Sequence, residues 1–333
     1  MEDHLAASCI PRPPRNGRPA IVGDPDNLSE LIYGHDVPRN LYDFIYTDRP
    51  QLGLRIVSFK NSTIVVLHWI HLTFDATAKG ALLNAWMLML QGREDEIPSH
   101  WVRTSIFWST VPDLVWWLLQ NSYNLVFKKQ EHRMVCVPAA YLAQLREKAL
   151  VELAAQAPSE KLVAPFLSEG GILVVWVARL AIANLSEDSE KPVAVQQAYH
   201  NCVGFLVTLM PAKDVLQKPL SYLASQIRRT ITEQSSREQV EAYTSLIRLD
   251  LANRAPPFFG SSSMHLLMFS NWQKVNMYGT DLSAGAVTPR RTPLTPSYIQ
   301  SVQGPYSFSD GIIIVGKDAE GNYWLSGNRA KGL

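Results

Sequence analysis

The stretch from Thr63 to Gly92 changes its period in the middle, and that change limits the folds open to the chain. Thr63–Ile70 is β-branched and apolar almost throughout, the pattern of a strand buried on both faces. After Asp75 the apolar residues Leu82, Leu83, Trp86 and Leu90 follow helical spacing, and Gly92 ends the run. Leu54–Phe59 precedes the strand across the turn residues Asn61-Ser62, so two paired strands lead into one helix. Strands and helices alternate without a regular βαβ rhythm in the rest of the chain. For 333 residues, at about 100–200 residues per domain, the expected fold is a two-domain α/β sandwich rather than a doubly wound sheet.

The first sixty residues, rich in proline, read as an irregular arm with short extended pieces at Leu31–Tyr33 and Leu41–Tyr46. Residues 93–131 read as a long connector. Pro138 takes the place of a first helical residue before Leu142, Leu145, Ala149 and Leu153. A second helix is expected over Ile172–Leu185 and a strand over Tyr199–Met210. Two helices follow, marked by Leu220, Leu223, Ile227 and Ile231 and by Val240, Tyr243, Ile247 and Leu251. Ser235 and Glu238 fit a capping box between them. His265–Ser270, Gly311–Gly316 and Tyr323–Ser326 read as strands, with a turn at Asp318–Gly321.

Composition removes several function classes. Apolar residues make up 47% and charged residues 18%, which suits a buried core and excludes a disordered chain. The 31 basic and 30 acidic residues leave a net charge of +1, so no bulk field attracts nucleic acid or an anionic membrane. The three cysteines, Cys9, Cys136 and Cys202, are too scattered for a disulfide framework or a zinc cluster, and imply a reduced, intracellular setting. No secretory signal is visible, and the most apolar run, Ile172–Leu185, is interrupted by Arg179 and falls short of the roughly 20 residues that span a bilayer.

The segment His68-Trp69-Ile70-His71-Leu72-Thr73-Phe74-Asp75 carries the candidate chemistry. A histidine at the end of a buried strand can be held by packing while its ring faces a cavity. With a pKa near ~6.5 it can accept a proton at neutral pH. A satisfied structural histidine with a helix-capping aspartate reads from the same residues. His68 and His71 point to opposite faces of a strand and cannot share one metal ion. No nucleophile elbow, phosphate loop or dinucleotide fingerprint is present. Cys202 reads as a small buried residue, and Arg290-Arg291 and Lys128-Lys129 as solvated pairs or contacts for phosphates. Phe107–Phe127, with Trp116-Trp117, reads as a packed crossover or the wall of an apolar tunnel.

H-x-x-x-D between a buried strand and a helix resembles the active-site motif of the BAHD acyltransferases, in the chloramphenicol-acetyltransferase-like superfamily. The likeness is to the fungal branch that acylates secondary metabolites. Phe166–Gly171 with Trp176, His200–Val203, Glu238–Tyr243, Ser270-Asn271-Trp272, Asp281-Leu282-Ser283-Ala284-Gly285, Gly316-Lys317-Asp318 and Tyr323-Trp324-Leu325 follow in the family's order. The resemblance covers most of the chain from about Leu54 onward. It implies a two-domain sandwich of mixed sheets with flanking helices and an active-site channel between the domains. Residues 1–105 would form an N-terminal domain, 106–131 the crossover and 132–333 the C-terminal domain. His71 would be the general base that takes the proton of an acceptor hydroxyl as it attacks an acyl-CoA thioester, with no covalent acyl-enzyme. Asp75 would hold the histidine loop in shape. Asp281 would support the far wall, and Gly285 and Trp272 the CoA side of the channel.

The implied function is O-acylation, most readily O-acetylation, of a hydroxylated terpenoid or polyketide by a cytoplasmic monomer. Acetyl-CoA would be the co-substrate, with no bound cofactor, no metal, no nucleic acid and no transmembrane segment. Against the family pattern the segment before His71 is short, Ala76 replaces a glycine, Lys191–Asn201 holds no arginine, and only Asp281 and Gly285 remain of the D-F-G-W-G segment. A catalytically inactive, N-terminally shortened homologue is therefore the alternative. A condensing activity is disfavoured, because Ile70 stands where the doubled histidine of that chemistry would begin.

Overall fold

The computed structural model describes residues 7–34, 37–38, 40–70, 76–97, 129–156, 166–198, 204–249, 259–261, 263–288, 292–301 and 310–330. Its elements in chain order are β1 (Ala20–Gly23), α1 (Ser29–Ile32), α2 (Leu41–Ile45), β2 (Leu52–Ser58), β3 (Thr63–Trp69), α3 (Ala76–Leu90), β4 (Gln130–Val137), α4 (Ala139–Gln156) and α5 (Glu169–Ala181). Then come β5 (Pro192–Ala198), β6 (Phe205–Pro211), α6 (Ala212–Gln217), α7 (Leu220–Gln234), α8 (Arg237–Leu249), β7 (His265–Asn271), β8 (Gly311–Lys317) and β9 (Tyr323–Ala330).

Seven strands form one mixed sheet in the order β1-β4-β9-β8-β7-β5-β6. Strands β5, β7 and β8 run parallel to one another, and the remaining pairings are antiparallel. The alternation of side chains along each strand divides the sheet into two apolar faces. Val137, Leu267, Phe269, Ile314, Tyr323 and Leu325 face helices α4, α5 and α7 and build the main core with Leu142, Ile172, Leu223 and Ile227. Met134, Cys136, Ile313, Val315 and Trp324 face the other way, toward Trp272, Tyr278, Leu83 and Tyr298. Strand β1 comes from the proline-rich arm, yet it pairs with β4 at the edge of a sheet otherwise built from residues beyond 130.

The hairpin predicted ahead of the helix is present: β2 and β3 pair in register from Leu52↔Trp69 to Ser58↔Thr63. It is not buried on both faces as expected. Thr63 and Val65 are exposed, and so are Leu54 and Ile56 on the paired strand. Among the described residues the hairpin is a two-stranded ribbon, so only one face finds a cover. Val57, Phe59 and Ile64 pack on Leu28 and Leu31 of the N-terminal arm. Gly53 lies opposite His68, and a methyl group at Gly53 would overlap the His68 ring, so glycine is what allows the ring to lie across the ribbon.

The two pieces of the arm expected as extended are helical turns. Asp24 accepts from the backbone N–H of Asp26 and starts the turn that leads into Ser29–Ile32. Asn40 and Asp43 form a reciprocal capping box over Leu41–Ile45. The predicted box at Ser235 and Glu238 shifts by one residue. Ser235 closes α7 through Ile231, and the Ser236 hydroxyl accepts from the Gln239 N–H at 3.4 Å to cap α8. Helix α5 ends at Ala181 instead of reaching Leu185, where residues 182–185 turn. The expected strand Tyr199–Met210 is described from Phe205 only, and most of the connector 93–131 lies outside the described residues. Among the described residues no helix is long and apolar enough to cross a membrane.

Candidate active site

Strand β7 ends at Asn271, opposite Ile314 of the parallel strand β8, and the C-terminal ends of parallel strands are where open α/β sheets collect ligands. Trp272 leaves β7 there. Its backbone N–H still donates to Ile314 O at 2.9 Å, which holds the corner to the sheet. Its indole N–H donates to the Ser270 hydroxyl at 2.8 Å, and the side chain is buried. Asn271 folds back to accept from the Gln273 N–H at 3.0 Å, starting the short 3-10 turn Gln273–Val275. Beside this corner lies a cavity of about 150 Å³ lined by Gln273, Asn276, Met277, Tyr278, Gly316 and Lys317.

Lys317 does not face that cavity as an isolated cation. Its ammonium is 2.7 Å from Glu169 Oε2, and the buried Tyr323 hydroxyl donates to the same oxygen at 2.8 Å. Burial would raise the Glu169 pKa, but the Lys317 and Tyr323 hydrogen bonds and the Lys317 charge outweigh it and lower it. Burial, followed by the Glu169 bond, pushes the Tyr323 phenol up, so it stays a donor. The group ties the first residue of α5 to β8 and β9, within motif segments that the sequence singled out without showing that they meet.

Asp281 accepts from the backbone N–H groups of Ser283 and Leu294, both at 2.9 Å. These bonds, with the Ser283 side chain, lower its pKa against the opposing effect of desolvation. The aspartate is thus a loop clamp that joins the turn Ser283–Gly285 to Leu294, thirteen residues on. A lowered folded pKa means that its stabilisation is present above the usual carboxylate range and is lost as pH falls through the folded value. Asp281→Ala is therefore expected to lower the unfolding midpoint at neutral pH and to flatten its acid-side decline. Scanning the midpoint against pH checks both effects.

Helix α3 connects these pieces. It begins at Ala76, directly after the H-x-x-x-D segment. Lys79 on its first turn reaches the Trp272 ring, 3.3 Å from ammonium to centroid, and Leu90 on its last turn packs against Gly285. The next residue, Gly80, allows the close approach: a Cβ there would lie 2.9 Å from Val275 Cγ1. The structure thus brings Trp272 and Gly285 to one helix, while Asp281 supports the loop that carries Gly285. His71 and Asp75 lie outside the described residues, between Ile70, whose N–H donates to Gln51 O at 3.2 Å, and Ala76. Cys202, Lys128, Arg290, Arg291 and Phe107–Phe127 lie outside them as well. Sequence reasoning missed Lys79, whose one signal is a lysine on the otherwise apolar helix face it shares with Leu82, Leu83 and Trp86.

Three other groups offer weaker chemistry. His132 Nε2 is 2.6 Å from the Ser326 hydroxyl and its Nδ1 is 4.0 Å from Asp26, an arrangement like a nucleophile with its base. Ser326 is only 2% exposed, which closes it to a substrate. Cys136 is buried on the inner face of the sheet, and burial, followed by Asp318 and Glu320, pushes its thiol up to about 12, so no thiolate forms at neutral pH. His68 lies at the end of β3 with a buried Nδ1 that has no hydrogen-bond partner among the described residues, and burial lowers its pKa, which leaves the ring neutral.

No protein-family model matches the chain. It is 32% identical, over 97% of its length and 74% of the relative's, to a Penicillium decumbens protein named transcriptional regulator calD. It is 30% identical to the O-acyltransferase ausP of Penicillium brasilianum over 98% of this chain and 72% of that protein. Among solved structures, TRI101 of F. sporotrichioides, complexed with coenzyme A and T-2, matches with a TM-score of 0.57 at 14% identity, over 85% of this chain and 66% of that chain. The chain thus spans just under two thirds of that solved chain and about three quarters of the curated relatives.

Proposed function

The chain belongs to the BAHD-type acyltransferases, in their fungal secondary-metabolite branch, and from that premise we propose that it transfers an acyl group, most readily acetyl, from acyl-CoA to a hydroxyl of a terpenoid or polyketide. His71 is the general base of this reading. It takes the hydroxyl proton while the oxygen attacks the thioester carbonyl, the C–S bond breaks, and the proton passes to the departing CoA thiolate. Such proton transfer contributes about 10²–10⁴-fold in rate, and holding both substrates at one histidine supplies much of the remainder. Asp75 keeps the histidine loop in shape, and Trp272 and Gly285 line the CoA side of a channel between residues 1–105 and 132–333.

The observation that supports this reading is helix α3. It starts at the residue after Asp75 and touches the Trp272 corner with its first turn and Gly285 with its last. Segments more than 180 residues apart in sequence, which the family motifs assign to one site, therefore converge on the helix next to the proposed base. TRI101 of F. sporotrichioides, which shares the fold, was captured with coenzyme A and T-2. A regulator's role, the name carried by one relative, would need a surface for nucleic acid that a net charge of +1 does not supply in bulk.

A catalytically inactive homologue is the second reading, and one observation favours it. The alignment with the 32%-identical relative runs over 370 positions against a chain of 333, so that relative carries segments this chain lacks. Thermal unfolding with and without acetyl-CoA tests the site itself. A ligand at 100 times its Kd adds ~2.7 kcal/mol to the folded state, so the account expects a cooperative melt that moves upward. A sharp melt that does not move at millimolar acetyl-CoA would contradict the CoA site.

A further inference from the structure

Lys79 is 6% exposed, and its ammonium lies between two indole rings, 4.3 Å from the centroid of Trp69 and 3.3 Å from that of Trp272. A buried ammonium needs compensation for lost water, and the two π surfaces contribute to it where desolvation makes the contact strongest. Among the described residues the rings belong to elements that no backbone pairing joins. Trp69 ends β3, paired with Leu52 and two residues before His71, and Trp272 directly follows β7 at the proposed CoA corner. Lys79 itself sits on α3, which Gly80 brings into close contact with Val275 of the same corner. The cage therefore has three walls: the strand that leads to the base, the helix that follows it, and the corner that carries Trp272.

We infer that Lys79 is a positioning residue, whose ammonium between Trp69 and Trp272 fixes the distance from the proposed catalytic histidine to the bound thioester. The inference rests on the acyl-transfer reading above. A hydrophobic contact of the same size would also fill the space, but it would not hold two separate rings to one point. The cation has a directional attraction to both faces, so a small sliding of β3 against β7 weakens two contacts at once. Misplacement by such a sliding acts on the reaction step, because the two reacting groups must meet within a fraction of an ångström.

The test compares Lys79→Met, which keeps length without charge, with Lys79→Arg, which keeps a cation that stacks on indole. For Lys79→Met the expected result is a fall of at least about tenfold in kcat, with acetyl-CoA affinity by titration held within about twofold, and Lys79→Arg restoring most of the rate. An unchanged kcat, or Arg performing no better than Met, would overturn the inference. If Lys79→Met does not fold, Trp69→Phe and Trp69→Leu repeat the test from the other wall, with Phe keeping the rate and Leu losing it. If the wild-type chain turns over no acyl-CoA, the acyl-transfer reading fails on its own, and the cage is then read from stability. A double-mutant cycle of Lys79→Met with Trp69→Leu should show coupling of about fivefold or more in the unfolding constant, and additive effects would overturn the cage.

Discussion

His71→Ala is expected to lower acyl-transfer turnover by about 10²–10⁴-fold while leaving the acetyl-CoA-induced rise in unfolding midpoint in place. The separation follows from the roles proposed. The base acts on the acceptor's proton, so its loss removes an interaction made only in the transition state. In the roles proposed, the thioester substrate is held by the corner at Trp272 and the turn ending at Gly285, with Asp281 clamping that turn's loop, and not by residue 71. Steady-state release of free thiol, measured beside the thermal shift, checks the pair of effects. Loss of both together would mean that residue 71 supports the fold of the site rather than its chemistry.

Trp324→Ala is expected to destabilise the protein by about 3–5 kcal/mol, the range for deleting a large buried aromatic side chain. Trp324 is 1% exposed on β9, an interior strand of the seven-stranded sheet between β4 and β8. Its ring meets the Tyr298 ring edge-on at 5.2 Å, and its indole N–H donates to Asp318 Oδ2 at 2.9 Å. Alanine leaves both a cavity and a carboxylate oxygen that has lost a donor. Against a typical total of about 5–15 kcal/mol, that loss is large enough to lower the midpoint by many degrees. Trp324→Phe keeps most of the packing and loses the hydrogen bond, so its midpoint is expected between those of wild type and Trp324→Ala. Equal destabilisation by Phe and Ala would contradict the packing account.

Local pattern carried most of the elements into view. The β2–β3 hairpin, helix α3 ending near Gly92, and the strands at residues 265, 311 and 323 all follow from spacing and turn residues. The proline-rich arm reads as irregular with two short extended pieces, while the two helical turns that form there depend on side-chain caps, Asp24 and the Asn40–Asp43 pair. The burial of Thr63–Ile70 was over-read, since a β-branched run does not state how many sheets cover it. Sheet order was hidden for a different reason. Pairing β1 with β4, or inserting β5 between β6 and β7, joins residues far apart in the chain, and no local signal encodes it.

The same division holds at the site. Trp272, Asp281 and Gly285 came into view through the resemblance of two short motifs to those of the family, because each motif is continuous in sequence. What each does could not. Asp281 reaches Leu294, Gly285 meets Leu90, and Trp272 covers Lys79, all contacts made by folding rather than by neighbours in the chain. The lysine at position 79 looked like an ordinary helix residue until the two tryptophans closed on it.

The most direct test of the central claim is a turnover measurement on the intact chain, with acetyl-CoA and a panel of hydroxylated terpenoids and polyketides, following free thiol and acetylated product together. The account predicts that at least one acceptor yields thiol and ester in equal amounts, and that His71→Ala loses both. Thiol release that never exceeds the His71→Ala level with any acceptor, from a chain that folds and binds acetyl-CoA, would contradict it.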